Sequence, residues 1–252
     1  MRIYHYTSIE SLYLIFKNRT LRFTTLINVD DMNEGETNEF ELAKQYLFVS
    51  CWTEEIMESI PQWSVYSNDM QGVRLGIEID ENNPRKIFEL VDHPTTNLLI
   101  SKDLGLVDNL PLVASPETPF YRKMKYTDSS IKLNPSILSQ EEYGELIDMS
   151  KVALYKSLEW RFQKESRFII DFSASPINQD MTSIKDFNLL QTMNNFNLPF
   201  DYKDISLADY FFENLEITFG PKCPEVHKEF VEIFLEKLNI TADLKDSSLN
   251  IK

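Results

Sequence analysis

Three short stretches of the 252-residue chain hold more polar and aromatic side chains than a core requires. They read YHYT over residues 4–7, WSVY over 63–66 and WRFQKESR over 160–167. Together they offer an imidazole that can hydrogen-bond a ligand, rings on which a planar group can stack, and a carboxylate. We expect these three stretches to meet in one cleft.

The first stretch places His5 in a predicted strand. Side chains alternate along a strand, so His5 faces opposite to Tyr4 and Tyr6. The imidazole either packs as a core or edge residue, or it donates a hydrogen bond to a ligand hydroxyl or amide. Thr7 also has two possible roles: it either caps the next helix or contacts that ligand.

The second stretch spaces Trp63 and Tyr66 three residues apart, on one face of a predicted short helix. Such a pair either packs in the core or offers a flat surface to a planar ring.

The third stretch contains Glu165 where a β-prone run begins. A glutamate is seldom buried unless it is paired. Arg167, two residues on, supplies an ion pair if the chain is extended there. Alternatively, Gln163 and Glu165 point together into a pocket.

The composition sets limits on function. Twenty-five basic and forty acidic residues give a net charge of -15, which disfavours non-specific nucleic-acid binding. A local basic groove would have to use arginines such as Arg22 and Arg74. The six glycines form no GxGxxG or P-loop pattern, and the scattered histidines and cysteines predict no zinc site. Asp30, Asp31 and Glu34 either hold a divalent cation or form a solvated turn.

The predicted elements are short strands mixed with a few helices. Strands are expected at 2–6, 21–25, 46–52, 72–80, 119–127, 166–172 and 215–221, and helices after Thr7, near 61–68, from Ser139 to Leu158, and along a face of Val226, Phe230, Ile233, Phe234 and Leu238. The absence of βαβ alternation predicts an α+β fold with a mixed or antiparallel sheet. We expect a single domain over 1–240 and a polar, frayed tail over 241–252. Two cysteines and no apolar run of membrane length or signal segment predict a cytoplasmic protein that does not contact membrane.

Over nearly its full length the chain resembles a bacterial family labelled domain of unknown function 2971. The segments that carry the resemblance are YHYTSIESLYLIFKNRTLRF, NVDDMNE, LFVSCWTEE, WSVYSNDMQGVRLGIE, EWRFQKESRF and LEITFGP. The chain departs from the family twice. It lacks the proline usual near Asp31, and it has Gln163-x-Glu165-x-Arg167 where Glu-x-Glu-x-Arg is usual.

The order of these motifs is also similar to that of ADP-ribosyltransferases, with a histidine on the first strand, an aromatic segment in the middle and a late glutamate. This resemblance implies a split, mostly antiparallel sheet with flanking helices, and NAD as the substrate without a metal. It implies that Glu165 stabilises the ribose cation, that Gln163 orients the acceptor and that His5 fixes NAD. It further implies that Tyr66, Trp63 or Tyr6 stacks on nicotinamide, that Thr7 lines the NAD site, and that Arg22 or Arg74 meets the pyrophosphate.

The acceptor that the resemblance implies is a protein or a nucleic acid, in a bacterial toxin or phage-defence effector that a partner protein could regulate. Two alternatives stay open. One is a non-catalytic module of the same fold that binds a nucleotide or protein. The other is a metal-dependent hydrolase or nuclease that uses Asp30, Asp31 and Glu34.

Overall fold

The computed structural model describes residues 1–92, 99–101, 106–107, 110–114, 120–141, 144–174 and 200–251. The strands within them are β1 (Arg2–Thr7), β2 (Thr20–Thr25), β3 (Leu47–Thr53), β4 (Val73–Glu78), β5 (Leu90–Asp92), β6 (Leu99–Ser101), β7 (Leu106–Val107), β8 (Leu110–Ala114), β9 (Tyr121–Lys123), β10 (Lys125–Thr127), β11 (Leu138–Glu141), β12 (Gly144–Ile147), β13 (Tyr155–Ser157), β14 (Glu165–Ala174), β15 (Tyr202–Ser206), β16 (Leu215–Phe219) and β17 (Ala242–Asp246). The α-helices are α1 (Ile9–Asn18), α2 (Ile60–Tyr66), α3 (Ser130–Leu133) and α4 (Glu225–Leu238). Short 3-10 helices cover Leu26–Asn28, Ala43–Tyr46, Pro84–Ile87, Met149–Lys151, Leu158–Gln163 and Asp209–Phe212.

One large sheet organises the described part of the chain, with strand order β17-β16-β4-β1-β3-β14-β8-β6-β5. β2 and β15 extend it beside β3, and β9 pairs with β14. The β16–β17 pair is parallel, whereas β1, β3, β4 and β14 pair antiparallel. This mixed, mostly antiparallel sheet with a few helices confirms the predicted α+β class.

Side chains alternate between two cores along the central strands. Phe48 and Trp52 of β3 belong to the larger cluster, whereas Leu47 and Val49 belong to a second one. β14 continues the pattern, with Phe168 in the first cluster and Ile169 in the second. The two clusters therefore cover opposite faces of the sheet. Glu165 and Arg167 lie on the face of Ile169, because they are two and four residues from it.

The sheet opens between β1 and β3. β1 pairs with β4 at six positions, from Arg2 opposite Glu78 to Thr7 opposite Val73. Its pairing with β3 is limited to Tyr4 opposite Thr53. Since Thr53 is also opposite Glu165, Tyr4, Thr53 and Glu165 form one row across three strands. Beyond that row, the separation of the strands leaves space for a cleft.

Helix α1 follows β1 directly, as its sequence predicts, but the capping residue is Ser8. The Ser8 hydroxyl accepts a hydrogen bond from the Ser11 N–H at 3.1 Å, which satisfies one of the free donors of the first turn. Arg19 ends the helix in the left-handed conformation, with φ 52°. The interpretation of Thr7 as the cap is therefore wrong, and Thr7 ends β1 instead.

The long helix predicted from Ser139 to Leu158 is absent from the described residues of that stretch. β11 and β12 form an antiparallel pair there, and β13 pairs in parallel with β10. Asp148 ends the predicted period by accepting from the Ser150 N–H at 3.1 Å, which is typical turn chemistry. Glu142 and Tyr143, which belonged to the prediction, lie outside the described residues.

The predicted C-terminal helix is present as α4, with Phe234 buried and Leu238 packed on the core, but the rest of its expected apolar face and the expected frayed tail are corrected. α4 buries Val231, Phe234 and Leu235, whereas Val226, Phe230 and Ile233 of the predicted core face are 64%, 46% and 62% exposed. The helix has apolar residues on more than one face, so spacing alone did not select the buried one. The expected frayed tail forms β17, which pairs with β16 from Leu215 opposite Ala242 onward. Within the described residues, no helix combines the length and apolarity needed to cross a bilayer.

Candidate functional site

A pocket of about 200 Å³ opens where β1 and β3 separate. Of the residues expected to bind NAD or act in catalysis, it is lined by His5, Tyr6, Tyr66, Gln163 and Glu165. Its other walls come from Tyr4, Thr24, Asn28, Val29, Asp30, Cys51, Trp52, Gln62, Lys156 and Arg167. The three stretches that the sequence singled out therefore meet in one cleft, which we call the first pocket.

A buried group of four charged side chains lies at one side of this pocket, and three of them, Lys156, Glu165 and Arg167, line it. The Glu165 carboxylate accepts from Arg167 Nε and, at 2.9 Å, from Lys156 Nζ. The Glu34 carboxylate accepts from both Arg167 terminal nitrogens, one of them at 2.9 Å, and lies 3.2 Å from Lys156 Nζ. Two carboxylates thus face two cations. Such burial is tolerated only when the charges are paired in this way.

This ion cluster, defined as Glu34, Lys156, Glu165 and Arg167, shifts the pKa values of Glu165 and Lys156. Burial alone would raise the pKa of Glu165, but Arg167 and Lys156 outweigh it and lower that pKa to about 2. Burial and Arg167 would lower the pKa of Lys156, but Glu165 and Glu34 outweigh them and raise it. Glu165 and Lys156 are therefore charged at neutral pH, and Glu165 presents an ionised carboxylate at the pocket wall.

A chain of hydrogen bonds runs from the ion cluster to the rim of the pocket. Lys156 Nζ donates to Gln163 Oε1 at 2.8 Å, and Gln163 Nε2 donates to the Tyr66 hydroxyl. The Tyr66 hydroxyl donates in turn to Asp30 Oδ2 at 2.8 Å. Burial, followed by the Asp30 bond, raises the pKa of Tyr66, so the phenol stays protonated. Gln163 therefore holds the Tyr66 hydroxyl in place, and both the oxygen and the nitrogen of its side-chain amide are hydrogen-bonded.

His5 reaches into the gap between β1 and β3. Its Nδ1 lies 2.8 Å from the Cys51 carbonyl oxygen, which can only accept, so Nδ1 carries the proton. Burial outweighs this bond and lowers the pKa of His5, so the ring is neutral at pH 7. Nε2 is then an acceptor. The expectation that this imidazole donates to a ligand is thus corrected, because its N–H already donates to the Cys51 carbonyl oxygen.

A second pocket of about 340 Å³ lies on the other side of His5. Thr7 and Arg22 line this second pocket, and His5, Thr24 and Cys51 border both pockets. The Arg22 guanidinium donates to both oxygens of Asp204, at 2.8 and 3.0 Å, so its charge is compensated. Two of the predicted NAD-contacting residues therefore lie around the second pocket.

Trp63 and Arg74 line neither of these two pockets. Trp63 is fully buried, and its ring packs edge-on against Tyr6 with centroids 4.9 Å apart. The Arg74 guanidinium lies over the Tyr4 ring at 4.3 Å, and Nη1 donates to the Ile56 carbonyl at 2.9 Å. The predictions that Trp63 stacks on a ligand and that Arg74 contacts a pyrophosphate are wrong, because both side chains are buried against β1 residues.

The three carboxylates at 30–34 do not form a common site. Asp30 binds Tyr66, Asp31 is buried and accepts from the Asn33 N–H at 3.1 Å, and Glu34 belongs to the ion cluster. Among the residues that the structure describes, no group of three or more His, Cys, Asp or Glu side chains could hold a metal ion. These contacts leave the metal-dependent hydrolase without a candidate centre in this segment.

Among the first-pocket residues that sequence reasoning did not single out, Lys156 and Gln62 contact the third stretch directly. Lys156 lay within the predicted helix. Its contact with Glu165 depends on how distant segments pack, so spacing along the sequence does not show it. Gln62 donates to the Gln163 carbonyl at 2.6 Å and so joins α2 to the third stretch. A lysine amid apolar residues was the available signal for the first, since burial of a lysine requires a carboxylate. No local signal marks Gln62.

Cys51 borders both pockets, yet its thiol is not activated. Burial, and then the nearby Glu165 carboxylate, raises the pKa of this thiol. A nucleophilic cysteine requires the opposite shift.

Comparisons with known proteins find no match: no family model, no curated protein and no solved structure matches the chain. The resemblance to the bacterial family and to ADP-ribosyltransferases therefore stays a prediction.

Proposed function

We propose that this protein is an ADP-ribosyltransferase-like enzyme, which binds NAD and cleaves the bond between nicotinamide and ribose. The observation that supports the proposal is the convergence of His5, Tyr66 and Glu165 on the walls of the first pocket. β1, β3 and β14 lie side by side, so a histidine of the first strand and a late glutamate share one cleft. The proposal includes the ADP-ribosyltransferase-like sheet and membership of the bacterial family named above.

Glu165 supplies the catalytic charge in this proposal. Breaking the bond to nicotinamide leaves positive charge on the ribose, as in glycoside hydrolysis. An ionised carboxylate held against that ribose stabilises the charge, and Arg167 and Lys156 keep Glu165 ionised. The electron pair of the broken bond leaves with nicotinamide. A nucleophile of the acceptor, or water, forms the new bond to the ribose and loses its proton.

The other residues bind and orient NAD. Nε2 of His5 accepts a hydrogen bond from a ribose hydroxyl or from the nicotinamide amide, and Tyr66 or Tyr6 packs against the ring. Gln163 positions Tyr66 instead of the acceptor, because its amide is already bound at both ends. The ADP half extends past His5 into the second pocket, where Thr7 and Arg22 lie. There Arg22 contacts the pyrophosphate in competition with Asp204.

The acceptor in this proposal is a protein or a nucleic acid. The net charge of -15 favours a protein, or a nucleic acid presented by another protein. A cytoplasmic toxin or phage-defence effector, with a partner protein that restrains it, fits this activity.

A second candidate is a non-catalytic module of the same fold that binds a nucleotide or a protein. One observation favours it: both oxygens of Glu165 already accept hydrogen bonds from Arg167 and Lys156. A carboxylate compensated by two cations stabilises a developing positive charge less than a free one does.

Nicotinamide release from NAD separates the two candidates. Glu165→Gln is expected to lower the release rate by at least about a hundredfold, the scale of one lost charge-stabilising group. Glu34→Gln is the matched control, since it removes a carboxylate from the same ion cluster but not from the pocket wall. It should keep most of the rate. Wild-type NAD binding without any release supports the module, and equal losses in both variants contradict a catalytic role of Glu165.

A further inference from the structure

We propose that residues 247–251 form a C-terminal strap that positions α2, with Glu58 as the positioning residue between them. α2 carries Gln62 and Tyr66 into the first pocket. The strap therefore connects the end of the chain to the wall of the pocket. The connection is independent of which ligand the pocket holds.

Glu58 joins the strap to α2 through its carboxylate. Oε2 accepts from Trp63 Nε1 at 2.9 Å and from the Ser247 hydroxyl. Oε1 accepts from both the backbone N–H and the hydroxyl of Ser248, each at 2.7 Å. Four donors thus converge on one carboxylate, three from the strap and one from α2. Hydrogen bonds to an ionised acceptor are about twice as strong as neutral ones.

Apolar contacts reinforce the strap. Leu249 and Ile251 pack against the cluster of Tyr6, Trp63 and Met70, as does Tyr66 itself. The strap is also fixed at its start, because the Ser247 N–H donates to the Phe219 carbonyl at 3.0 Å directly after β17. It is therefore held at both ends.

The length of α2 makes these contacts important for the pocket. A helix of seven residues is too short to be stable by itself in water. Its order depends on side chains packed around it: Trp63 at its centre packs against Tyr6 of β1 and donates to Glu58, which holds the strap. Release of the strap would free one side of α2 and with it the Tyr66 ring. The large sheet, whose core lies elsewhere, would remain folded.

Amide hydrogen exchange of the full chain tests this inference without any ligand. The double variant Ser247→Ala/Ser248→Ala removes two of the strap's donors with little change in volume. We expect exchange over residues 60–66 to accelerate about tenfold or more, while exchange of β14 stays at the wild-type rate. Asn250→Ala is the matched control, since this exposed residue belongs to the strap but makes no contact with Glu58.

Two results would overturn the inference: unchanged exchange over 60–66, or equal acceleration in 60–66 and β14, which indicates global destabilisation. If the double variant does not fold, Ser248→Ala alone is compared in the same way. Glu58→Gln supplies the second readout: the summed emission of Trp52, Trp63 and Trp160 should shift, because Trp63 loses its charged acceptor, while β14 exchange is unchanged. Because none of these measurements uses NAD, the strap can be correct when the proposed enzymatic activity is wrong, and the reverse.

Discussion

Glu165 was the residue for which the sequence left two interpretations, an ion pair with Arg167 or a carboxylate in a pocket. The structure has both. Arg167 could be identified from the sequence because it is two residues away in an extended segment. Lys156 and Glu34 could not, because the contacts that bring them to Glu165 depend on the pairing of distant segments. Local spacing thus predicted half of the ion cluster.

The ionisation of Glu165 predicts how stability depends on pH. Its pKa is depressed in the folded state, so its contribution is complete above the unfolded value of 4.5 and is lost as pH falls towards about 2. We expect the difference between the wild type and Glu165→Gln in urea unfolding to shrink over this window. If the stability difference between the two proteins stayed constant from about pH 7 to about pH 2.5, the low pKa of Glu165 would be wrong.

At the scale of elements, the short strands and the helices at α1, α2 and α4 were predicted correctly, whereas the longest helical period, from Ser139 to Leu158, was not. β1, β2, β3, β4, β14 and β16 all lie within a few residues of the predicted runs, since β-branched and aromatic residues bounded by turn residues have few alternatives. The run after Ser139 had apolar residues at helical spacing as well, but Gly144 and Asp148 interrupt it. Residues four apart share a face in both a strand and a helix, so a few apolar pairs at that spacing do not separate the two.

Arg167 joins β14 to the segment before β3 through Glu34, and this gives a prediction at the same scale. Arg167→Met leaves two buried carboxylates with a single lysine, which we expect to cost about 3–5 kcal/mol of unfolding free energy. Arg161→Met is the control, because Arg161 is exposed and its loss should stay within about 0.5 kcal/mol. Urea unfolding at neutral pH measures both. A loss for Arg167→Met no larger than that of the control would show that the ion cluster does not hold these elements together.

For the molecule as a whole, composition and element order were sufficient for the α+β class but not for the position of the cleft. The cleft exists because β1 pairs with β3 at one position and with β4 at six. No sequence period encodes that difference, since each face of β1 mixes polar with apolar or aromatic residues. The convergence of three stretches could be expected from their residue types. The strand register decides which of their residues line the pocket and which are buried in the core.

The net charge of -15 gives a prediction for the whole molecule. Exposed carboxylates repel one another in the folded state, and dissolved salt screens that repulsion. The ion cluster is buried, and buried pairs are screened much less, so salt should remove more repulsion than attraction. We expect the melting temperature to rise by several degrees between about 0.05 M and about 0.5 M NaCl, with KCl giving the same rise because screening depends on ionic strength. A fall in melting temperature over this range would mean that exposed ion pairs such as Arg22–Asp204 stabilise the fold more than the excess negative charge destabilises it.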